Sequence, residues 1–187
     1  MPRTGHDLLS AGLGMPDEFS GSDRMDPRIR RVREGDIEAV VELVHGLAEY
    51  ERLTHECELT ADRLRSALFA PGPALFGHVA EADGEVVGFT LWFLNFSTFR
   101  GSHGIYLEDL FVRQDRRGTG LGRALLTELA EECVRRGYAR LEWSVLNWND
   151  AAIGFYTSLG AAPLAEWSVF RLTDDALTDL GAGGAGG

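Results

Sequence analysis

Six residues that lie between an apolar run and a helical pattern have the composition of an anion-binding turn: Arg117-Gly118-Thr119-Gly120-Leu121-Gly122. β-Branched and aromatic residues precede them over 104–112, and leucines at helical spacing follow them up to Gly137. The glycines are therefore predicted to form a turn from a strand to a helix. Such a turn presents backbone N–H groups at a helix N-terminus and lets a bulky anion approach the backbone. We expect a phosphate-bearing ligand, although these residues alone leave open a turn that only connects the two elements.

Two common nucleotide-binding motifs do not fit these residues. A Walker loop needs a lysine after its last glycine, but Gly122 is followed by Arg123 and the chain has no lysine. A dinucleotide motif needs its third glycine at position 123. The remaining pattern, Arg-x-x-Gly-x-Gly after a strand, resembles the pyrophosphate loop of the GNAT N-acetyltransferases, a family that binds acetyl-CoA. The absence of lysine also excludes catalysis through a lysine Schiff base.

Length, charge and cysteine content narrow the class of protein. The chain has 187 residues and a net charge of −11, which predicts one domain with tails and argues against nucleic acid or an anionic membrane as partner. The acidic balance fits a cationic substrate. The sequence shows neither a membrane-length apolar run nor a secretory signal. Cys57 and Cys133 form no metal-binding pattern, so we expect no metal and two free thiols in a reducing cytoplasm.

Strands and helices alternate through the middle of the chain, which predicts an α/β fold with a mixed sheet. Asp83-Gly84 is a hairpin signal, Thr60 is a helix N-cap, and Gly160 closes a helix. We predict a flexible tail over 1–28, one domain over 29–174 and a glycine-rich tail over 175–187. The predicted strands cover 29–33, 74–82, 86–96, 104–112, 139–146 and 165–172, and the predicted helices cover 36–50, 60–68, 121–136 and 149–159.

The order of these elements resembles the GNAT fold over roughly 29–172. Several runs resemble the spermidine/spermine (diamine) branch of that family. Two of them, the runs at 96–99 and 145–149, are closer to its thialysine-acetylating members. The resemblance implies a twisted mixed sheet with a splay between the strands at 104–112 and 139–146, and helices on both faces. The runs are Leu47-Ala48-Glu49-Tyr50-Glu51, Tyr106-Leu107-Glu108-Asp109-Leu110-Phe111-Val112, Phe96-Ser97-Thr98-Phe99, Val145-Leu146-Asn147-Trp148-Asn149, Phe155-Tyr156, Gly160-Ala161, and Trp167 with Phe170.

The same resemblance implies the catalytic roles. Tyr156 matches the tyrosine that faces the CoA sulfur, and a phenol is protonated at neutral pH and can donate to a thiolate. Glu108 matches the carboxylate at the substrate amine, which either binds the ammonium or takes its proton through water. Without the resemblance, Tyr156 is read as a packing residue and Glu108 as a partner for an arginine.

Two further groups of residues are implied to bind acetyl-CoA and the amine. For some of them a role without ligand binding is the alternative. Asn149 would only cap a helix, the helix-end pair Tyr50 and Glu51 would only be exposed to solvent, and Trp143 would only pack in the core. The acetyl-CoA group is Leu110, Phe111, Val112, Arg117, Gly118, Thr119, Gly120, Leu121, Gly122, Arg123, Asn149, Ala152 and Tyr156. The substrate group is Tyr50, Glu51, Glu108, Glu142, Trp143, Ser144 and Glu166.

Departures from the family pattern bear on the substrate. Ser97 stands where polyamine-acetylating members carry an acid, and the chain is about two residues shorter near Trp167, where Glu166 is the loosely aligned acid. A small diamine or a lysine-like amino acid is therefore favoured over spermine. Two other functions stay open: an acetyltransferase of a protein or drug amine, and a non-catalytic acetyl-CoA-binding module, against which Tyr156 and Glu108 argue. The family resemblance also implies a homodimer.

Overall fold

The computed structural model describes residues 26–183 in two compact units, the first ending at Ser144 and the second beginning at Val145. Most of the predicted N-terminal tail (1–25) and the last four residues therefore lie outside the described residues. The first unit contains β1 (Ile29–Arg31), α1 (Ile37–Glu51), α2 (Ala61–Phe69), β2 (Phe76–Ala82), β3 (Glu85–Ser97), β4 (Ser102–Val112), α3 (Leu121–Arg136) and β5 (Leu141–Trp143). The second unit contains α4 (Asp150–Ser158) and α5 (Asp174–Gly181).

The sheet of the first unit has the strand order β1-β2-β3-β4-β5, antiparallel except for the parallel pair β4–β5. Asp83 and Gly84 have φ angles of 55° and 80° and join β2 to β3, which confirms the predicted hairpin. β5 pairs only with Ile105–Leu107. Within the described residues, β4 thus continues through 108–112 without a β5 partner, as the predicted splay requires.

Helices cover both faces of this sheet, and adjacent residues of β4 show the division. Phe111 lies in one apolar cluster and Val112 in another, because consecutive strand residues point to opposite faces. The Phe111 cluster includes Ile37 and Val40 of α1 and Leu64 and Leu68 of α2. The Val112 cluster includes Leu121 and Leu125 of α3. The mixed α/β architecture predicted from the sequence is therefore confirmed.

A buried carboxylate also fastens α3 to the sheet. Glu132 has 1% of its surface exposed, and its carboxylate pairs with Arg135, with Arg136 (Nε–Oε1, 2.5 Å) and with Arg31 of β1 (Nη2–Oε1, 3.7 Å). A carboxylate this far from water requires such partners. The apolar stripe of α3 is therefore interrupted by a charge cluster that contacts a specific strand.

Helix ends follow local sequence signals. Thr60 Oγ1 accepts a hydrogen bond from Arg63 N (3.3 Å) at the start of α2, which confirms the predicted N-cap. Gly160 (φ 90°) follows α4, where Gly160 N and Ala161 N donate to the carbonyls of Thr157 and Tyr156. This pair of bonds is the Schellman arrangement that glycine favours, so the predicted end of α4 is also confirmed.

One C-terminal element of the sequence interpretation was wrong. The predicted strand over 165–172 is absent from the described second unit, and Trp167 and Phe170 are 73% and 94% exposed. A strand needs a partner for its backbone groups, and an apolar pattern alone does not supply one. Residues 174–181, mostly assigned to the tail, form α5. Among the described residues, no helix is both long and apolar enough to cross a membrane.

Candidate functional site

The glycine-rich turn has the backbone of an anion site. Gly118 and Gly120 have φ angles of 77° and 86°, a region that costs other residues about 1–2 kcal/mol. The first helical bond of α3 runs from Ala124 N to Gly120 O (3.0 Å), so the N–H groups of 121–123 precede the intrahelical ladder. No side chain caps Gly120. The turn thus presents several N–H groups together at the positive end of a helix dipole.

Side chains from distant parts of the first unit hold this turn in place. Thr119 Oγ1 donates to Arg116 O (2.7 Å), and Arg116 pairs with Asp83 of the β2–β3 hairpin (2.7 Å). Arg28 Nη1 donates to Thr119 O (3.1 Å), and Arg28 is itself paired with Asp26. The glycines therefore have conformational freedom, while contacts on both sides select one conformation.

The segment from Leu110 to Val112 uses its side chains for packing. Phe111 and Val112 are buried on opposite faces, and Leu110 packs against the Val112 cluster. A ligand along this segment would therefore contact the backbone, which has no β5 partner there. Arg117 is exposed, but its side chain lies against the protein: Nε donates to Val112 O (3.2 Å), and the guanidinium carbon lies 4.6 Å from the centroid of the Tyr50 ring.

A β-bulge gives the two adjacent acids on β4, Glu108 and Asp109, different surroundings. Leu91 pairs with Asp109 while Trp92 pairs with Leu107, so Glu108 is the extra residue. Glu108 is exposed, whereas Asp109 is partly buried. Burial, together with the negative charges of Glu108 and Glu51, raises the pKa of Asp109 to about 6. Burial also raises the pKa of Glu51.

These three carboxylates form an acidic group with one member suited to proton transfer near neutral pH. A general base works best when its pKa lies close to the working pH, and perturbed carboxylates are often functional. Sequence reasoning selected Glu108 as the catalytic carboxylate, and the structure adds Asp109 as a candidate beside it. The available signal was the adjacency itself, since neighbouring strand acids point to opposite faces and one of them is drawn toward the interior.

The substrate residues predicted on β5 are present, but two already have polar partners. Glu142 pairs with Arg140 (2.9 Å) and accepts a hydrogen bond from Asn95 Nδ2 (2.8 Å). Ser144 Oγ lies 2.8 Å from the hydroxyl of Tyr106. Trp143 is partly buried. At the family's acid position, Ser97 is buried and its hydroxyl accepts a hydrogen bond from Arg100 N (3.2 Å) in the β3–β4 turn.

The second unit contains the remaining predicted site residues. The side chain of Asn149 accepts a hydrogen bond from Ala152 N (3.2 Å) at the start of α4, so Asn149 is an N-cap. Tyr156 lies on the same helix, is partly buried, and has its ring 5.2 Å from that of Phe155. Glu166 lies in an exposed turn after α4. Capping by Asn149 is confirmed, whereas acetyl-CoA contact by Asn149 and acid catalysis by Tyr156 stay predictions.

Comparison with known proteins identifies relatives along most of the chain. A sequence model of the acetyltransferase (GNAT) family matches residues 39–161. The bovine (Bos taurus) thialysine N-epsilon-acetyltransferase is 35% identical over 163 residues, which cover 81% of this chain and 95% of that protein. The L-ornithine N5-acetyltransferase of Arabidopsis thaliana is 32% identical, with 87% and 91% covered. The matched family range includes the glycine-rich turn, the acidic group and Tyr156.

Solved structures give the same result for the fold. An integron cassette protein from the mobile metagenome of V. cholerae is 26% identical and superposes with a TM-score of 0.69, over 82% of this chain and 96% of that one. A ribosomal-protein-alanine N-acetyltransferase from Brucella melitensis is 20% identical with a TM-score of 0.63, over 78% of this chain and 99% of that one. At that identity the second likeness concerns the fold only.

Proposed function

Because this chain belongs to the GNAT acetyltransferase family and is an acyl-CoA-dependent N-acetyltransferase, we propose that it transfers acetyl directly from acetyl-CoA to a primary amine of a small cationic substrate. The substrate class is a diamine or polyamine, or a lysine analogue such as thialysine. The observation that carries the proposal is the composition of β4 and the segment after it: β4 holds Glu108 and Asp109 at its bulge, and the glycine-rich turn follows after a short 3-10 helix at Gln114–Arg116. Acidic groups that attract an ammonium thus lie on β4, and amides that attract a phosphate lie shortly after it.

The donor side of the proposal rests on the backbone. Acetyl-CoA supplies an activated acetyl thioester and a diphosphate. The N–H groups of Gly118–Arg123 bind the diphosphate. The open Cβ position of Gly118 leaves room for it, and only Arg28 Nη2, at 3.9 Å, comes near the Cβ position of Gly120. After Leu107, the edge of β4 that faces away from β3 has no β5 partner, and it offers hydrogen bonds to an extended chain and an N–H toward the carbonyl that is attacked. Asn149 and Ala152 complete the donor contacts by family resemblance.

The acceptor side rests on the acidic group. An alkylamine is protonated at pH 7 and has to lose a proton before its nitrogen can attack. Glu51, Glu108 and Asp109 attract the ammonium. Glu108, directly or through water, receives the proton, and the neighbouring Asp109 is the alternative base. Further substrate contacts are proposed for Tyr50, Glu142, Trp143, Ser144 and Glu166. The relatives named for thialysine and ornithine acetylation support an acceptor that is an amino acid with a side-chain amine.

Departure of the thiolate requires a proton donor, for which we propose Tyr156. Its phenol has an ordinary pKa near 10 and is protonated at neutral pH. Loss of the hydroxyl alone, in Tyr156→Phe, keeps the ring and its contact with Phe155. The variant is therefore expected to bind acetyl-CoA and to lose most of its turnover, by about 100-fold for a lost general acid.

The deciding experiment measures thiol release from acetyl-CoA with putrescine, spermidine, spermine, ornithine, lysine, thialysine, an aminoglycoside and a lysine peptide. Tyr138→Phe is the matched control, because Tyr138 lies after α3 and its ring packs on His103. Turnover of one small amine that disappears in Tyr156→Phe and persists in Tyr138→Phe supports the proposal. Turnover of the peptide or the aminoglycoside alone refutes the substrate class, and full turnover in Tyr156→Phe refutes the assigned acid.

Assembly and location are part of the proposal. We expect a homodimer in the cytoplasm, and the second unit supports the dimer because it exposes Leu164, Trp167, Val169 and Phe170 in sequence proximity. A second copy would remove these side chains from water. Light scattering of the purified protein measures the mass, and a monomer at micromolar concentration contradicts this expectation.

A further inference from the structure

Arg117 joins two parts of the first unit that would bind different substrates. Its backbone leads into the donor amides at 118–123, whereas its side chain turns back toward the C-terminal end of α1. There the guanidinium carbon lies 4.6 Å from the centroid of Tyr50 and 5.5 Å from that of Phe111. Both distances fall within the range of a cation–π contact. Nε also donates a hydrogen bond to Val112 O at 3.2 Å, so the guanidinium is held both by the rings and by a backbone carbonyl.

The same face of α1 continues this contact. Gly46 and Tyr50 are four residues apart and therefore neighbours on the helix surface. A side chain at Gly46 would begin 3.5 Å from the Phe111 ring, so the helix lies close against β4 at that point. One turn later the Tyr50 ring contacts the guanidinium of Arg117. Phe111 and Arg117 thus lie against successive turns of the same face of α1.

The end of α1 contains acceptor groups. Glu51 follows Tyr50, and its charge acts on Asp109 of β4. Arg52 has a φ of 62°, and the N–H groups of Arg52 and Leu53 donate to the carbonyls of Glu49 (3.1 Å) and Ala48 (2.8 Å). These two bonds close the last turn. A contact that fixes Tyr50 therefore also fixes the position of Glu51 relative to the acids of β4.

We propose that Arg117 is a positioning residue for the acceptor: its side chain acts through Tyr50 on the end of α1, while the amides that follow it bind the donor. This inference rests on the proposed function, because it names which substrate the side chain of Arg117 serves. It assigns to a residue of the donor turn an effect on the amine. If the Arg117 side chain instead bound the donor diphosphate, its replacement would weaken binding of CoA and leave the KM for the amine unchanged.

The first test needs no turnover. Hydrogen exchange of the Arg52 and Leu53 amides is measured with and without CoA, and CoA affinity is measured by calorimetry. In the unaltered protein CoA slows exchange at both amides. Arg117→Lys keeps the positive charge but loses the planar group that stacks on Tyr50. The CoA affinity of this variant stays within twofold of the unaltered protein, but CoA no longer slows exchange at the two amides. Tyr50→Leu also loses it, and Tyr50→Phe, which keeps the ring, retains it.

The second test is kinetic and uses the amine that turns over. Arg117→Lys raises its KM by about two- to fivefold, the range of a part-exposed cation–π contact, and leaves the KM for acetyl-CoA within twofold. Adding Arg117→Lys to Tyr50→Leu raises the amine KM no further, because the effect passes through Tyr50. Arg113→Lys is the matched control, since Arg113 pairs with Asp115 and Glu85 in the same loop.

The outcomes separate this inference from the proposed function. A fivefold weaker CoA affinity in Arg117→Lys, or no change at Arg52 and Leu53 when CoA binds the unaltered protein, overturns the positioning role and leaves the proposed function intact. Bound CoA with no amine turned over contradicts the proposed function, while the exchange measurement still decides the role of Arg117. Failure of the unaltered protein to bind CoA refutes both.

Discussion

Replacing Asp109 by asparagine should make the free protein more stable at neutral pH. The pKa of this carboxyl is about 6 in the folded protein, above the value of about 3.9 that is ordinary for aspartate. The folded state therefore binds more protons than the unfolded state between pH 4 and 6. Above that range the ionised carboxylate is held in a half-buried place beside Glu108 and Glu51, and it costs stability. Asparagine has nearly the same shape and no charge.

The size of the effect follows from the difference between the two pKa values. Two pKa units correspond to about 3 kcal/mol of unfolding free energy above pH 7, which sets the upper limit of the gain in Asp109→Asn. The same relation gives about half of that gain at pH 5 and less than 1 kcal/mol at pH 4, where the carboxyl is protonated in the folded protein. For a chain of this size the gain above pH 7 corresponds to a rise in Tm of about 6–12 °C.

The assay is thermal unfolding of both proteins between pH 4 and pH 8, followed by circular dichroism. Asp115→Asn is the control, because Asp115 is exposed and its pKa is lowered by a hydrogen bond from Arg113; that variant should show no gain at pH 8. If Asp109→Asn unfolds at the same temperature as the unaltered protein at pH 8, or if its gain persists undiminished at pH 4, the account of Asp109 is wrong. We further expect the stabilised variant to turn over amines more slowly.

Three other substitutions test the site and its support. Gly120→Ala should weaken acetyl-CoA binding several-fold in calorimetry, because the φ of 86° is unfavourable for alanine; Gly101→Ala (φ 60°, open space) is the control that leaves binding unchanged. Asn149→Ala should lower the unfolding free energy by about 1 kcal/mol through loss of the α4 cap, and an equal Tm for both proteins contradicts the capping role. Glu132→Gln should cost about 3–5 kcal/mol in denaturant unfolding, since the arginines around it lose a buried counter-charge; a cost below 1 kcal/mol would show that the cluster is solvated.

The elements that are anchored by local signals could be predicted from the sequence. Asp83-Gly84, Thr60 and the glycine-rich turn each impose a backbone conformation through neighbouring residues, and the structure has all three. The predicted helices on both faces of the sheet are also present, since Phe111 and Val112 of β4 lie in two separate apolar clusters. Such features depend on a few adjacent positions, which a single sequence displays.

Features that depend on distant partners could not be predicted in this way. The strand pattern at 165–172 is present in the sequence, but a strand forms only where an open edge accepts it, and no edge does so within the described second unit. The bulge at Glu108 is set by the register against β3. The packing of Arg117 against Tyr50 joins positions 67 residues apart in the numbering (117 against 50). In the candidate site, the sequence pointed to Glu108 and not to Asp109, because the burial and charged neighbours of Asp109 depend on the folded structure.

The carboxylate of Glu132 has a consequence for the glycine-rich turn at the other end of α3. A shift of α3 by one turn, about 5.4 Å, would disturb its apolar packing and would also leave this carboxylate without its arginine on β1. The charge cluster therefore opposes sliding of α3 along the sheet. Because the helix is held in position, the N–H groups of its first turn are oriented before an anion binds, and binding requires no free energy to align them.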